Sequence, residues 1–165
     1  MLIDVSYFTK GARRIQNASV NDRMKADSGA VNSVIDSYIE NYQHRFLSAV
    51  VGEKEAGYIE DYLEIAESEG SESKYKEICD RLKEPFADYV MFYILRDSNI
   101  QKTVTGAVKL KSANTNVSTI RAQVNVWNDM VAKNLDFIRW AREGHCPIDL
   151  VTETQMLNRI NQFNI

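Results

Sequence analysis

The residues that could do chemistry in this chain are few, and their spacing decides against most of it. His44 and His145 are separated by about a hundred positions and fall on different elements. His44 precedes Arg45 in a helical pattern, the setting of a partly exposed or hydrogen-bonded histidine. His145 adjoins Cys146, but side chains that close in sequence rarely chelate one ion together, and no second pair completes a metal site. Cys79 and Cys146 have no CxxC partner and read as two reduced thiols. The acidic pairs Glu60–Glu64 and Glu64–Glu67 share a helix face, as catalytic carboxylates do. They lie among other acids in an exposed setting, where no burial would raise a pKa. The chain carries no GxSxG, HExxH, Walker loop or GxGxxG. The expectation is therefore a non-enzyme with no cofactor and no metal.

What remains is charge, and it is segregated. Between Glu53 and Glu72 there are eight carboxylates and one lysine, Lys54. Glu60, Asp61, Glu64 and Glu67 make this either a solvated face or a docking surface for a basic partner. From Ser98 to Asn128 the chain carries Lys102, Lys109, Lys111 and Arg121 and no carboxylate. Three lysines with no interleaved aromatic give only a non-specific phosphate term, the lining of a nucleic-acid channel and not a recognition module.

The elements that position these charges are helical. Ile78, Leu82, Phe86, Tyr89 and Tyr93 recur at spacings of three and four, as do Ile120, Val124, Trp127, Val131, Leu135 and Ile138. Pro85 interrupts the first of these patterns without changing its phase, which predicts a kink more than a break. An earlier helix, from about Ala30, carries Val31, Ile35, Tyr38, Tyr42, Phe46 and Ala49 and ends at Gly52. The acidic helix follows at once, with Ala56, Ile59, Leu63 and Ala66 inward. Between the two central helices, Thr103-Val-Thr-Gly-Ala-Val-Lys-Leu-Lys111 alternates and is rich in β-branched residues, predicting a hairpin near 99–115 turned at Gly106. Thr152-Glu-Thr-Gln155 fits a capping box for a last helix presenting Met156, Leu157, Ile160 and Phe163.

The 165 residues make one domain by size, with 44% hydrophobic and 26% charged residues and a net charge of −3. That balance gives no drive toward nucleic acid or anionic membrane. No apolar run approaches the roughly 18 residues of a spanning helix, and the first residues lack a signal-peptide pattern. The fold expected is an all-α, antiparallel bundle of about four main helices with a projecting hairpin or extended loop and a short C-terminal helix. Residues 1–28 read as an N-terminal arm, 29–146 as the bundle, and 147–165 as a docking helix that packs on a partner.

Two stretches carry a resemblance. Glu40-Asn-Tyr-Gln-His-Arg-Phe-Leu-Ser-Ala-Val-Val-Gly-Glu53 and Pro85-Phe-Ala-Asp-Tyr-Val-Met-Phe-Tyr93 resemble the head–tail connector (adaptor) proteins of tailed bacteriophages. The first is similar to their helix ending in a Leu-x-x-Leu-Gly-like turn, with Val50-Val-Gly52 in place of the usual leucines. The second is similar to their central helix, followed by Thr-Val-Thr-Gly-Ala-Val and a long helix ending near Trp140. The likeness spans residues 30–140. It implies a structural virion protein forming a ring, commonly of twelve copies, that joins portal to tail around the DNA exit channel and is assembled in the host cytoplasm. Under it, Glu60, Asp61, Glu64 and Glu67 would face Lys102, Lys109 and Lys111 of the next copy. Alternatively, those lysines would touch the genomic DNA. Met156, Leu157, Ile160 and Phe163 would dock on portal or tail proteins. The competing expectation is a monomeric helical binding module, regulatory or antitoxin-like, that engages a basic partner through its acidic helix.

Overall fold

Four helices follow one another along the chain: α1 (Lys25–Val51), α2 (Glu53–Ala66), α3 (Lys74–Ser98) and α4 (Thr119–Trp140). In this computed structural model the described residues are 1–20, 25–66, 74–98, 100–103, 106–109, 119–146, 148 and 153–161. They form a helical bundle, and α3 packs most extensively against α4. No helix among them is long and apolar enough to cross a membrane.

The stripe expected on α3 is the centre of the core. Ile78, Leu82, Phe86, Tyr89 and Tyr93 are all buried, and Phe46 of α1 sits 5.3 Å from the rings of both Phe86 and Tyr89. Each such side chain contributes about 1.5–3 kcal/mol by leaving water. The helix runs unbroken through Pro85, because the apolar face on either side is in phase and packing outweighs one missing N–H. Gly52 separates α1 from α2 with φ of 91°, a left-handed value that glycine adopts freely. Its N–H donates to the Ser48 carbonyl, and its own carbonyl accepts from Ala56, so one residue closes α1 and opens α2.

Four expectations need correction. The first twenty residues are no arm. Leu2, Ile3, Val5 and Phe8 are buried in the core, and the Leu2 N–H donates to Gln43 Oε1 at 2.6 Å. A short 3-10 turn at Val5–Phe8, capped by Asp4, points Val5 and Phe8 inward together. Helix α1 begins at Lys25, earlier than expected. On α4 the expected stripe is met in part: Val131 and Ile138 are buried, Val124 and Trp127 half-buried, and Ile120 and Leu135 exposed, while Gln123, Val126, Met130, Asn134 and Phe137 also face inward. Two polar core residues lie on the part of the buried face that hydrophobicity does not mark. The last helix is absent from the described residues. Only a four-residue 3-10 turn, Thr154–Leu157, forms there, and Asn158 after it is extended.

The described residues do not support a projecting hairpin over 99–115. They contain a ladder of four residue pairs, β1 (Ile100–Thr103) antiparallel to β2 (Gly106–Lys109), with Thr103 opposite Gly106. Positions 104–105 and 110–118 lie outside the described residues.

Candidate assembly surface

Helix α2 carries the acids, and the bundle divides them. Ala56 and Ile59 are its fully buried contacts with the core. The opposite stripe, at i, i+3 and i+7, is Tyr58, Asp61 and Ile65, with Tyr58 46% and Ile65 55% exposed. Asp61 and Glu64 are exposed beside them, and Lys54 Nζ lies 5.8 Å from the Tyr58 ring centroid. Two large apolar side chains are exposed on this face, flanked by carboxylates. Glu60 does not belong to it. Its carboxylate meets His44 Nδ1 at 2.8 Å and the Gln43 amide, while His44 Nε2 meets Glu53 at 3.0 Å. The bonds to Glu60 and then Glu53 raise the His44 pKa, and the imidazole in turn lowers that of Glu53. Glu67 lies outside the described residues.

The basic segment is only partly described. Lys102 pairs with Ala107 and Lys109 with Ile100, pairs of like parity, so positions 102 and 109 share one face of the ladder. Lys111 lies outside the described residues. Nothing described brings the ladder against α2 of its own chain.

The C-terminal segment is held by α4 and not presented to a partner. Met156 is 2% exposed and belongs to the core; Leu157 and Ile160 are half-buried, and Phe163 lies outside the described residues. Trp127 Nε1 donates to the Asn158 carbonyl at 2.9 Å. The Asn128 amide grips Ile160 at both main-chain atoms, donating to its carbonyl at 3.0 Å and accepting from its N–H at 2.9 Å. Asn134 Nδ2 donates to the Met156 carbonyl, and Glu153 N–H to the Ala49 carbonyl. The expected docking role for Met156 is therefore corrected: its surface is already used within the chain. Asn134 Oδ1 is buried without a hydrogen-bond partner.

Two clusters escaped the sequence reading. One is ionic: Arg13 reaches from the N-terminal segment to Glu84 at 2.7 Å and Asp88 at 2.8 Å, and Lys133 of α4 reaches Asp88 at 2.5 Å. Asp88 is 4% exposed, so two cations compensate one buried carboxylate. The other is aromatic: Tyr42 stacks on Tyr93 with centroids 4.0 Å apart, and Arg96 lies 4.4 Å from the Tyr93 centroid. Tyr38 donates to Asp97 at 3.1 Å, and burial with that neighbour pushes its pKa up to about 12. Tyr38 and Tyr42, with Val34 and Arg45, border a cleft of about 520 Å³. Mid-helix charges and tyrosines at i and i+4 were the available signals, but neither says what lies across from it.

For metal chemistry, no group of three or more His, Cys, Asp or Glu is placed to hold an ion among the described residues. Cys79 is buried, and burial pushes its thiol up to about 11, far from a reactive thiolate. Compared with known proteins, the chain matches no family model, no curated protein and no solved structure.

Proposed function

We propose that this chain is a structural assembly protein that forms a closed ring, in the manner of the phage head–tail connectors it resembles over residues 30–140. The observation that carries the reading is the outward stripe of α2, where Tyr58 and Ile65 stay in water between Asp61 and Glu64. An apolar and acidic face left uncovered by its own bundle is a contact surface in search of a basic, partly apolar counterpart. The Lys102 and Lys109 positions supply positive charge on a different part of the same chain. Two unlike patches make a heterologous contact, and a heterologous contact that closes makes a ring. In this reading the ring, of about twelve copies by likeness, sits between portal and tail proteins in the virion. The ladder then either projects to the next copy or lines the channel against the genome.

The test is native mass across a concentration series, alone and with the portal protein. A large closed oligomer in either condition, dispersed by Asp61→Lys with Glu64→Lys, supports the proposal. A strict monomer that never joins a portal overturns it. The α2 stripe would then stand as the docking face of a monomeric module for a basic partner.

A further inference from the structure

One face of α1 carries groups that the bundle does not cover. Val34, Tyr38, Asn41 and Arg45 follow one another at spacings of four, three and four, so they form a line along the helix. With Tyr42 and Asp97 they line the cleft of about 520 Å³. Its charges are unequally satisfied. Asp97 is engaged by Arg96 at 2.8 Å and by the Tyr38 hydroxyl at 3.1 Å. Arg45 is exposed and makes no ion pair among the described residues; its guanidinium lies 5.7 Å from the Tyr93 ring centroid. Val34, at the other end of the line, is exposed. The cleft is therefore cationic at one end and apolar at the other. Its rings are already fixed, Tyr42 by stacking on Tyr93 and Tyr38 by its bond to Asp97, so covering them costs little further side-chain freedom. Tyrosine and arginine are also the residue types that dominate contact energies between proteins.

The same chain carries a helix face of the opposite character. On α2, Tyr58 is exposed, and Asp61 and Glu64 are exposed carboxylates with no ion pair among the described residues. Tyr58 and Glu64 stand six positions apart, about 9 Å along a helix, and Tyr38 and Arg45 stand seven apart, about 10 Å. A helix laid along the cleft with Glu64 at Arg45 thus brings Tyr58 to the end formed by Tyr38 and Val34. The two faces cannot meet within one chain. Gln43 and His44 turn toward α2 and bond Glu60 and Glu53 there. At about 100° per residue, the line ending at Arg45 lies on the far side of α1. Gly52 alone joins the two helices, so α2 stays on the side that those bonds set.

We infer that the Val34–Arg45 cleft of one copy receives the Tyr58–Glu64 face of α2 from a second copy of this chain. The inference rests on the ring reading and names the counterpart of the α2 face. The occupant is another copy because its α2 offers carboxylate and ring in the order and spacing the cleft presents, while the cleft's own α2 is held away. Each copy gives one face and receives the other, which is a heterologous contact.

Charge exchange tests the pairing, read as native mass alone and with the portal protein. One chain carries Arg45→Glu, the other Asp61→Lys with Glu64→Lys. Each by itself sets like charges across the contact, and its self-association should weaken about tenfold or more. Mixed in equal amounts, the two should restore it. The altered cleft of the first then meets the altered helix of the second, and the native cleft of the second meets the native helix of the first. Far-UV circular dichroism checks each fold. Arg45→Gln, which removes the charge without reversing it, gives a smaller weakening in the same direction and stands in if Arg45→Glu disturbs the helix. A closed oligomer that both Arg45 variants leave intact keeps the ring and overturns the pairing, as does a mixture no more associated than its components. A mixture that forms pairs of chains and nothing larger, from components that stay single, keeps the pairing and overturns the closed ring. A native chain that stays single in every condition overturns both.

Discussion

Substituting Arg13 by methionine removes a cation that ties the N-terminal segment to α3, and its effect can be worked from the contacts. Arg13 makes one charge-assisted bond to buried Asp88 and one to Glu84, whose side chain is 53% exposed. The first is worth about 1.5–3 kcal/mol, since it compensates a desolvated carboxylate. The second, screened by water, adds about 0–1 kcal/mol. Lys133 stays on Asp88, so the carboxylate is not left alone and the upper range for a broken buried pair does not apply. The expected loss is about 2–3 kcal/mol. With a urea slope of about 2 kcal/mol/M, the midpoint falls by about 1–1.5 M at unchanged slope. The assay is equilibrium unfolding followed by far-UV circular dichroism and by tryptophan fluorescence, whose coincidence tests two-state behaviour. Asp88→Asn and the double variant complete a cycle in which the coupling between the two sites should be about 2 kcal/mol. A midpoint shift under about 0.3 M, or a coupling under about 0.5 kcal/mol, would refute the claim that residues 1–20 are part of the bundle.

Three further outcomes follow from single residues. His44 has a pKa raised by its bonds to Glu60 and Glu53, so its stabilising contribution is complete below the unfolded value near 6.5 and disappears as pH rises through the folded value. Proton NMR should place its midpoint above 6.5, and His44→Gln should lose more stability at pH 6 than at pH 8.5; a midpoint at or below 6.5 would remove the clasp. Gly52→Ala should destabilise by about 1–2 kcal/mol because φ there is 91°. Gly29→Ala on α1, where an added Cβ meets nothing, should stabilise by about 0.5–1 kcal/mol. Thermal melts that move both variants in the same direction would contradict that assignment.

How much of this was legible in the sequence depended on whether residue type and position agreed. On α3 they did: five large apolar residues in phase can only face a core, and they do. Gly52 was equally readable, since a glycine between two helical patterns has few other uses. On α4 type and position disagreed. Gln123 and Asn134 occupy core positions while Ile120 and Leu135 face water, so a reading that follows hydrophobicity finds Val131 and Ile138 but misses part of the buried face. Leu2, Ile3, Val5 and Phe8 follow no helical or strand period, and nothing local says that α1 and α3 leave room for them. Arg13 shows the same limit, because its partners lie more than seventy residues away.

The C-terminal segment shows most directly how tertiary contacts override a local signal. Thr152-Glu-Thr-Gln155 with Met156 promises a helix, and local bonding alone would favour one. An isolated helix that short is marginal in water, whereas α4 offers three side chains that satisfy main-chain atoms at residues 156, 158 and 160. A single 3-10 turn followed by non-helical chain therefore wins by contacts that local sequence does not encode. Asn134 also explains why part of the buried face of α4 was missed. A polar residue on the inner face of a helix is placed there by what it binds, and Asn134, inside the core with one amide bond to the Met156 carbonyl, is there for the C-terminal segment. Had Asn134 and Asn128 been treated as inward residues that need partners, α4 and the segment it holds would have been solved together.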